Sequence, residues 1–181
     1  MLKWSLAALA AVVVIFLIVV ALQPSDFRIE RSATMRAPAP AAFAQVNDFQ
    51  NWRTWSPWEK VDPALKRQYH GPRAGTGAVY AWQGNNDVGE GRMTITDAKP
   101  SEQVVIRLEF LEPMASTSST GFLLTPTAQG GTNVRWTMTG ENNFMMKGMG
   151  LFMNMDKMIG DDLNMGLAKL DSVTAAQKNV L

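Results

Sequence analysis

Residues 103–111 read QVVIRLEFL, and their alternation decides the fold. Val104, Ile106, Leu108 and Phe110 fall on one face, and Arg107 and Glu109 on the other. A period of two describes a strand with one buried face. The same period continues outward in both directions. Ala115 to Thr125 carries Phe122 and Leu124, and Gln129-Gly130-Gly131 supplies hairpin-turn chemistry. Thr132 to Gly140 sets Val134, Trp136 and Met138 against Arg135, Thr137 and Thr139. Upstream, Gly89 to Ala98 alternates Met93 and Ile95 with Arg92, Thr94 and Thr96. Gly77 to Gln83 holds Val79, Tyr80 and Trp82, and Lys66 to His70 reads as a weaker strand. Short turns such as Gly84–Asp87 and Lys99-Pro100-Ser101 join consecutive strands, so the sheet is an antiparallel meander.

Two further segments flank the meander. Phe27 to Arg36 alternates Phe27, Ile29, Ala33 and Met35 against polar neighbours, with Arg31 alone on the apolar side. Ala37-Pro38-Ala39-Pro40 stops that strand, and Ala41 to Asn47 forms a short helix. The stretch DFQNWRTWSPW, residues 48–58, spaces Trp52, Trp55 and Trp58 by three, near one face of a helical turn. Beyond the meander, stepping Phe144 to Val173 at 100° per residue predicts one long amphipathic helix. Met145, Met149, Phe152, Met155, Ile159, Leu163, Leu167 and Leu170 share its apolar face. Lys147, Asn154, Lys157, Asp161 and Ser172 lie opposite.

The N-terminus has a different character. WSLAALAAVVVIFLIVVAL, residues 4–22, contains no charge and no proline. Nineteen helical residues rise about 28 Å, which matches a hydrocarbon core of roughly 30 Å. A cleaved signal peptide competes, with Val19-Val20-Ala21 as its cleavage site, but the run exceeds a usual signal core. The expectation is an N-terminal transmembrane anchor over residues 1–25 and one soluble α+β domain over residues 26–181. Lys3 favours a cytoplasmic N-terminus, whereas Arg28, Arg31 and Arg36 pull the other way. Long domains after a signal-like helix often cross regardless, so the expected location is a bacterial cell membrane with the domain periplasmic or extracytoplasmic.

Composition removes several function classes. The chain has 17 basic and 16 acidic residues among 181, scattered rather than clustered, which argues against a nucleic-acid partner. With no cysteine there is no disulfide, thiolate metal site or cysteine nucleophile.

The order of elements resembles the START-like, or SRPBCC, superfamily with the helix-grip fold. It is most similar to the bacterial polyketide cyclase/dehydrase and lipid transport group. FRIERSATM, APAPAAFAQVNDF, WRTWSPW, GEGRMTI and NMDKMIGDDLNMGLAKL carry the resemblance. It implies a curved antiparallel sheet of about seven strands around the long C-terminal helix, with a cavity for an apolar ligand between them. Its members include cyclases, hydrolases, lipid carriers and chaperone activators, so fold alone does not choose an activity. The N-terminal anchor departs from most of the family.

Candidate site residues follow from these placements. Trp52, Trp55, Tyr80, Trp82, Phe110, Phe122, Trp136 and Met138 can face the space between sheet and helix, where apolar pockets are built. They can equally fill a core. Methionine is frequent, at 12 residues, and Met149 and Met153 suit a pocket for varied apolar ligands. With Met145 their spacing of four also suits a soft metal, but a core role is the simpler reading and no metal is assigned. Asp156 falls within the helix's apolar face and needs a partner such as Arg31, a backbone group or a polar ligand atom. The function expected is binding or carriage of a hydrophobic small molecule or lipid, with no cofactor. Its rivals are a cyclase-like enzyme using Asp156, Glu90 or His70 as acid or base, and a protein-interaction module with a filled core.

Overall fold

A computed structural model of the chain describes residues 2–178, so the last three positions of the expected domain lie outside it. Helix α1, Leu2–Ala21, comes first, and its residues Lys3–Ala21 are long and apolar enough to cross a membrane. Seven strands follow: β1 (Asp26–Met35), β2 (Lys66–His70), β3 (Val79–Gln83), β4 (Glu90–Lys99), β5 (Gln103–Glu112), β6 (Ser116–Pro126) and β7 (Thr132–Glu141). They form one antiparallel sheet in the order β1-β7-β6-β5-β4-β3-β2. The meander is therefore continuous, and β1 closes it by pairing with the last strand. Register shifts at Glu90/Gly91 and Ile95/Asp97 mark bulges in β4, which bend a strand and increase its twist. The glycines around Glu90 thus serve a bulge, as their position outside any strand-to-helix junction implies.

Helix α2 (Ala39–Val46) and two 3-10 turns (Asn51–Thr54 and Pro57–Lys60) occupy the loop between β1 and β2. The three tryptophans of this loop do not share one helical turn as their spacing suggests. Pro57 starts a second turn, so the chain bends between Trp55 and Trp58. They still converge: Trp52, Trp55 and Trp58 each place a ring within 6.1 Å of Trp136 on β7.

The single helix expected over Phe144–Val173 is two helices. Helix α3 spans Phe144–Gly150 and helix α4 spans Met155–Lys178. Gly148 and Gly150 weaken the first, and glycine costs a helix about 1 kcal/mol relative to alanine. The Asn154 side chain then accepts a hydrogen bond from the Lys157 amide at 2.9 Å, capping a fresh start. Asn143 caps α3 likewise through the Met146 amide. The long helix α4 packs over β1, α2 and the second 3-10 turn, burying Leu163, Leu167 and Leu170. This seven-stranded sheet with a long C-terminal helix is an α+β helix-grip fold.

Candidate functional site

Strand period two gives the inner face of the sheet its residues. Across the middle run Arg31, Trp136, Phe122 and Val104, side by side on β1, β7, β6 and β5. Toward the end of the sheet where α1 enters, the next row is Ile29, Met138, Thr120 and Ile106. Beyond it lie Phe27, Gly140, Ser118, Leu108, Met93 and Tyr80.

These rows divide the expected aromatic set in two. Trp52, Trp55, Phe122 and Trp136 form a sealed cluster, each at most 2 % exposed. Phe122 and Trp136 lie 4.8 Å apart, and Trp52 meets both edge-on. Edge-to-face packing of this kind adds about 0.5–1.5 kcal/mol per pair beyond area burial. The Trp52 indole donates to the Val46 carbonyl at 3.1 Å, and the Trp136 indole donates to Thr120 Oγ1 at 2.9 Å. Trp55 packs edge-on against Phe122 and Trp136, and its buried Nε1 has no hydrogen-bond partner among the described residues.

The second group lines the end near α1. Phe27, Phe110 and Met138 are half-buried there, packed against the core. Trp82 and Tyr80 stack at 5.8 Å, and Phe110 meets Trp82 edge-on. Small residues lie between these large ones. A β-carbon at Gly140 would stand 2.8 Å from the Phe27 ring, and one at Gly91 would stand 2.5 Å from the Trp82 ring. The rings thus lie over glycine, and the half-buried Ser118 interrupts the apolar floor. At this end Tyr80, Trp82, Met93 and Leu108 are buried in the core, while Phe27, Phe110, Met138 and Ser118 are left half-buried.

A polar network borders it. Glu59, on the second 3-10 turn, accepts from the Tyr80 hydroxyl at 2.8 Å and from Arg67 Nε at 2.7 Å. Burial and the Glu59 carboxylate push the Tyr80 phenol well above its ordinary range, so it stays protonated and donates. Arg67 neutralises Glu59, which makes the network a rim support rather than a proton relay. Sequence reading missed Glu59 and Arg67. Their one available signal was Arg67 on the inner period of β2, beside Tyr69.

Met149, Met153 and Asp156 lie elsewhere. Met149 and Met153 are exposed, at the junction of α3 and α4. Asp156 is not in the apolar face, because the helix restarts at Asn154 and resets the phase. Its side chain is 62 % exposed. Arg31, the one cation on the inner period of β1, reaches it: Nη1 donates to Oδ1 at 3.2 Å, and Nη2 to Oδ2 at 3.0 Å and to its carbonyl at 2.9 Å. The guanidinium lies across Gly160 to do so. Its hydrogen bonds hold the Asp156 carboxyl below the usual carboxylate range.

The remaining acid–base candidates are scattered. His70 is exposed at the end of β2, and Glu90 accepts from Gln83 Nε2 at 3.2 Å across β3 and β4. Two surface depressions also avoid the tryptophan cluster. One of about 530 Å³ lies on the outer face around Arg107, Ser119 and Thr139. One of about 190 Å³ lies by Tyr69, His70 and Arg73. No group of three or more His, Cys, Asp or Glu side chains suited to a metal occurs among the described residues.

A helix-grip domain with an apolar, partly open inner face defines the class of this protein. The chain belongs to the polyketide cyclase/dehydrase and lipid transport family, whose model matches residues 26–173. No curated protein sequence matches it. Solved structures match the fold at low identity. A Rhizobium loti protein is 23% identical with a TM-score of 0.54, covering 81% of this chain and 97% of its own. A Thermobifida fusca protein is 19% identical with a TM-score of 0.61, covering 82% and 93%. The Aha1 dimer of Colwellia psychrerythraea is 14% identical with a TM-score of 0.58, covering 82% and 96%. Family membership supports the handling of hydrophobic ligands in general.

Proposed function

We propose that the protein is a membrane-tethered carrier or receptor for a hydrophobic small molecule or lipid. In this reading residues 1–25 anchor the chain, and the domain from residue 26 onward binds the ligand on the outer side of a bacterial cell membrane. The ligand lies against the inner face beside Phe110, Met138, Ser118 and Trp82, with Tyr80 and the half-buried Phe27 at its margins. Trp52, Trp55, Phe122 and Trp136 back that surface as a rigid wall. The carrying observation is the contrast in closure along one face: the tryptophan end is sealed, while the end next to α1 leaves Phe110 and Met138 half-buried. Large apolar side chains left incompletely covered beside a buried aromatic wall support an apolar ligand. The strand β1 begins at Asp26, five residues after α1 ends, so that surface lies next to the bilayer, where apolar molecules partition.

Native mass spectrometry of the detergent-extracted full chain, with extraction of bound lipid, tests this. A stoichiometric apolar ligand is expected, and it is lost when Met138→Trp fills the floor. An empty wild-type protein that also takes up no fluorescent lipid would overturn the reading and favour an interaction module. Sequencing the N-terminus of the same preparation separates an anchor, which is retained, from a signal peptide, which is removed.

A further inference from the structure

We propose that α3 and the turn after it, Phe144 to Met153, are a second membrane attachment, immersed in the lipid beside the end of α1. This rests on α1 being the membrane anchor. The segment reads FMMKGMGLFM and carries one charge, at Lys147. Phe144, Met145, Met149, Leu151, Phe152 and Met153 are all exposed, Phe152 by 79 %. A contiguous apolar surface of that kind marks an interaction site rather than an ordinary solvated face.

The occupant follows from what the segment touches. Its main packing partner is α1. The Phe152 ring lies 6.3 Å from the ring of Phe16, and a β-carbon at Gly148 would stand 3.8 Å from Val20. Val20 is fully buried by this contact, although its neighbours along α1 are exposed. Phe16 precedes the last residue of α1 by five positions, a rise of about 7.5 Å. A spanning α1 therefore carries Phe16 below the lipid surface, and Phe152 lies at the same level. Apolar segments lying in the interface are buried about 5–10 Å, which agrees. Asn143 accepts from the Met146 and Lys147 amides through its side chain and carbonyl, so these two donors of the first turn are satisfied without water. The Arg31–Asp156 pair fastens the first turn of α4 to β1, which ties the immersed segment to the sheet. Two attachments fix the tilt of the domain and turn the half-buried end of the inner face toward the lipid.

The absence of cysteine from the chain makes the test direct. Full-length variants Val12→Cys, Met149→Cys, Phe152→Cys and Gln129→Cys are labelled with an environment-sensitive fluorophore and reconstituted into two sets of vesicles, one carrying shallow and one carrying deep spin-labelled lipids. Gln129 lies at the β6–β7 turn, the opposite end of the sheet. Blue-shifted, lipid-quenched emission is expected at 149 and 152, and water-exposed emission at 129. Quenching at 12 with water-exposed emission at 149 and 152 would overturn the second attachment and leave the anchor standing. No quenching at 12 would overturn the anchor itself. Blue-shifted emission at 152 that lipid does not quench, with 152–152 cross-linking, would assign the surface to a second copy of the chain instead.

Discussion

The indole of Trp136 lies against the backbone of Gly166: a β-carbon at that glycine would stand 2.6 Å from Cζ3, with Pro57 at 3.2 Å. Helix α4 approaches the sheet closely enough to cover the tryptophan cluster because Gly166 has no side chain. Gly166→Ala gains about 1 kcal/mol of helix propensity but overpacks a buried ring, which costs about 1–3 kcal/mol. A net loss of stability is expected by denaturant titration. Gly160→Ala meets first the Arg31 guanidinium, the end of a flexible side chain. It should be neutral or stabilising, while hydrogen exchange in the first turn of α4 accelerates as the Arg31–Asp156 pair is displaced.

Trp55 and Trp136 should respond differently to loss of their indole nitrogen. Trp136→Phe leaves Thr120 without its donor, whereas Trp55→Phe removes a buried N–H that has no partner. Both create a cavity, but only the first also breaks a hydrogen bond. Trp136→Phe should therefore be the more destabilising, by about 1 kcal/mol, in paired urea unfolding curves. Equal costs would mean that Trp55 Nε1 is satisfied in solution.

The Glu59–Tyr80 bond predicts an ordering of variants at the rim. Tyr80→Phe removes one hydrogen bond to a carboxylate, a cost of about 1–2 kcal/mol. Glu59→Leu leaves the half-buried Arg67 without its carboxylate partner and should cost more. The double variant Glu59→Leu with Arg67→Met should recover stability relative to Glu59→Leu alone, as read by thermal unfolding.

Acid sensitivity should trace in part to Glu109. Hydrogen bonds from Arg92 at 2.7 and 3.2 Å, and the nearby Arg107, hold its carboxyl below its ordinary value near 4.5. A carboxyl depressed in the folded state binds its proton more weakly there than in the unfolded chain. Its stabilisation is complete above about pH 4.5 and fades as pH falls through the lower folded value. Glu109→Gln should flatten the decline of stability below that pH, with little change in slope at neutral pH.

Sequence alone determined the elements whose signal is local. Period two in QVVIRLEFL and its neighbours located the strands of the meander, because burying one face of a strand requires that alternation. The uncharged run before Leu22 located α1, and the order of elements was enough to show the family. Sequence also offered Arg31 as one of the possible partners of Asp156, since a carboxylate placed on an apolar helix face needs a compensating group, and the two side chains do meet. Tertiary structure decided the rest. Methionine and phenylalanine at nearly every position from 144 to 153 satisfy an apolar stripe in any phase, so periodicity ran through the break at Gly150 and reached Asp156 out of register. Which aromatics were sealed and which stayed half-covered depended on where α4 and the 3-10 turns came to rest across the sheet. Glu59, Arg67 and Tyr80 met only because that packing brought separate segments together. Such contacts join residues distant along the chain, and no local pattern of residue types encodes them.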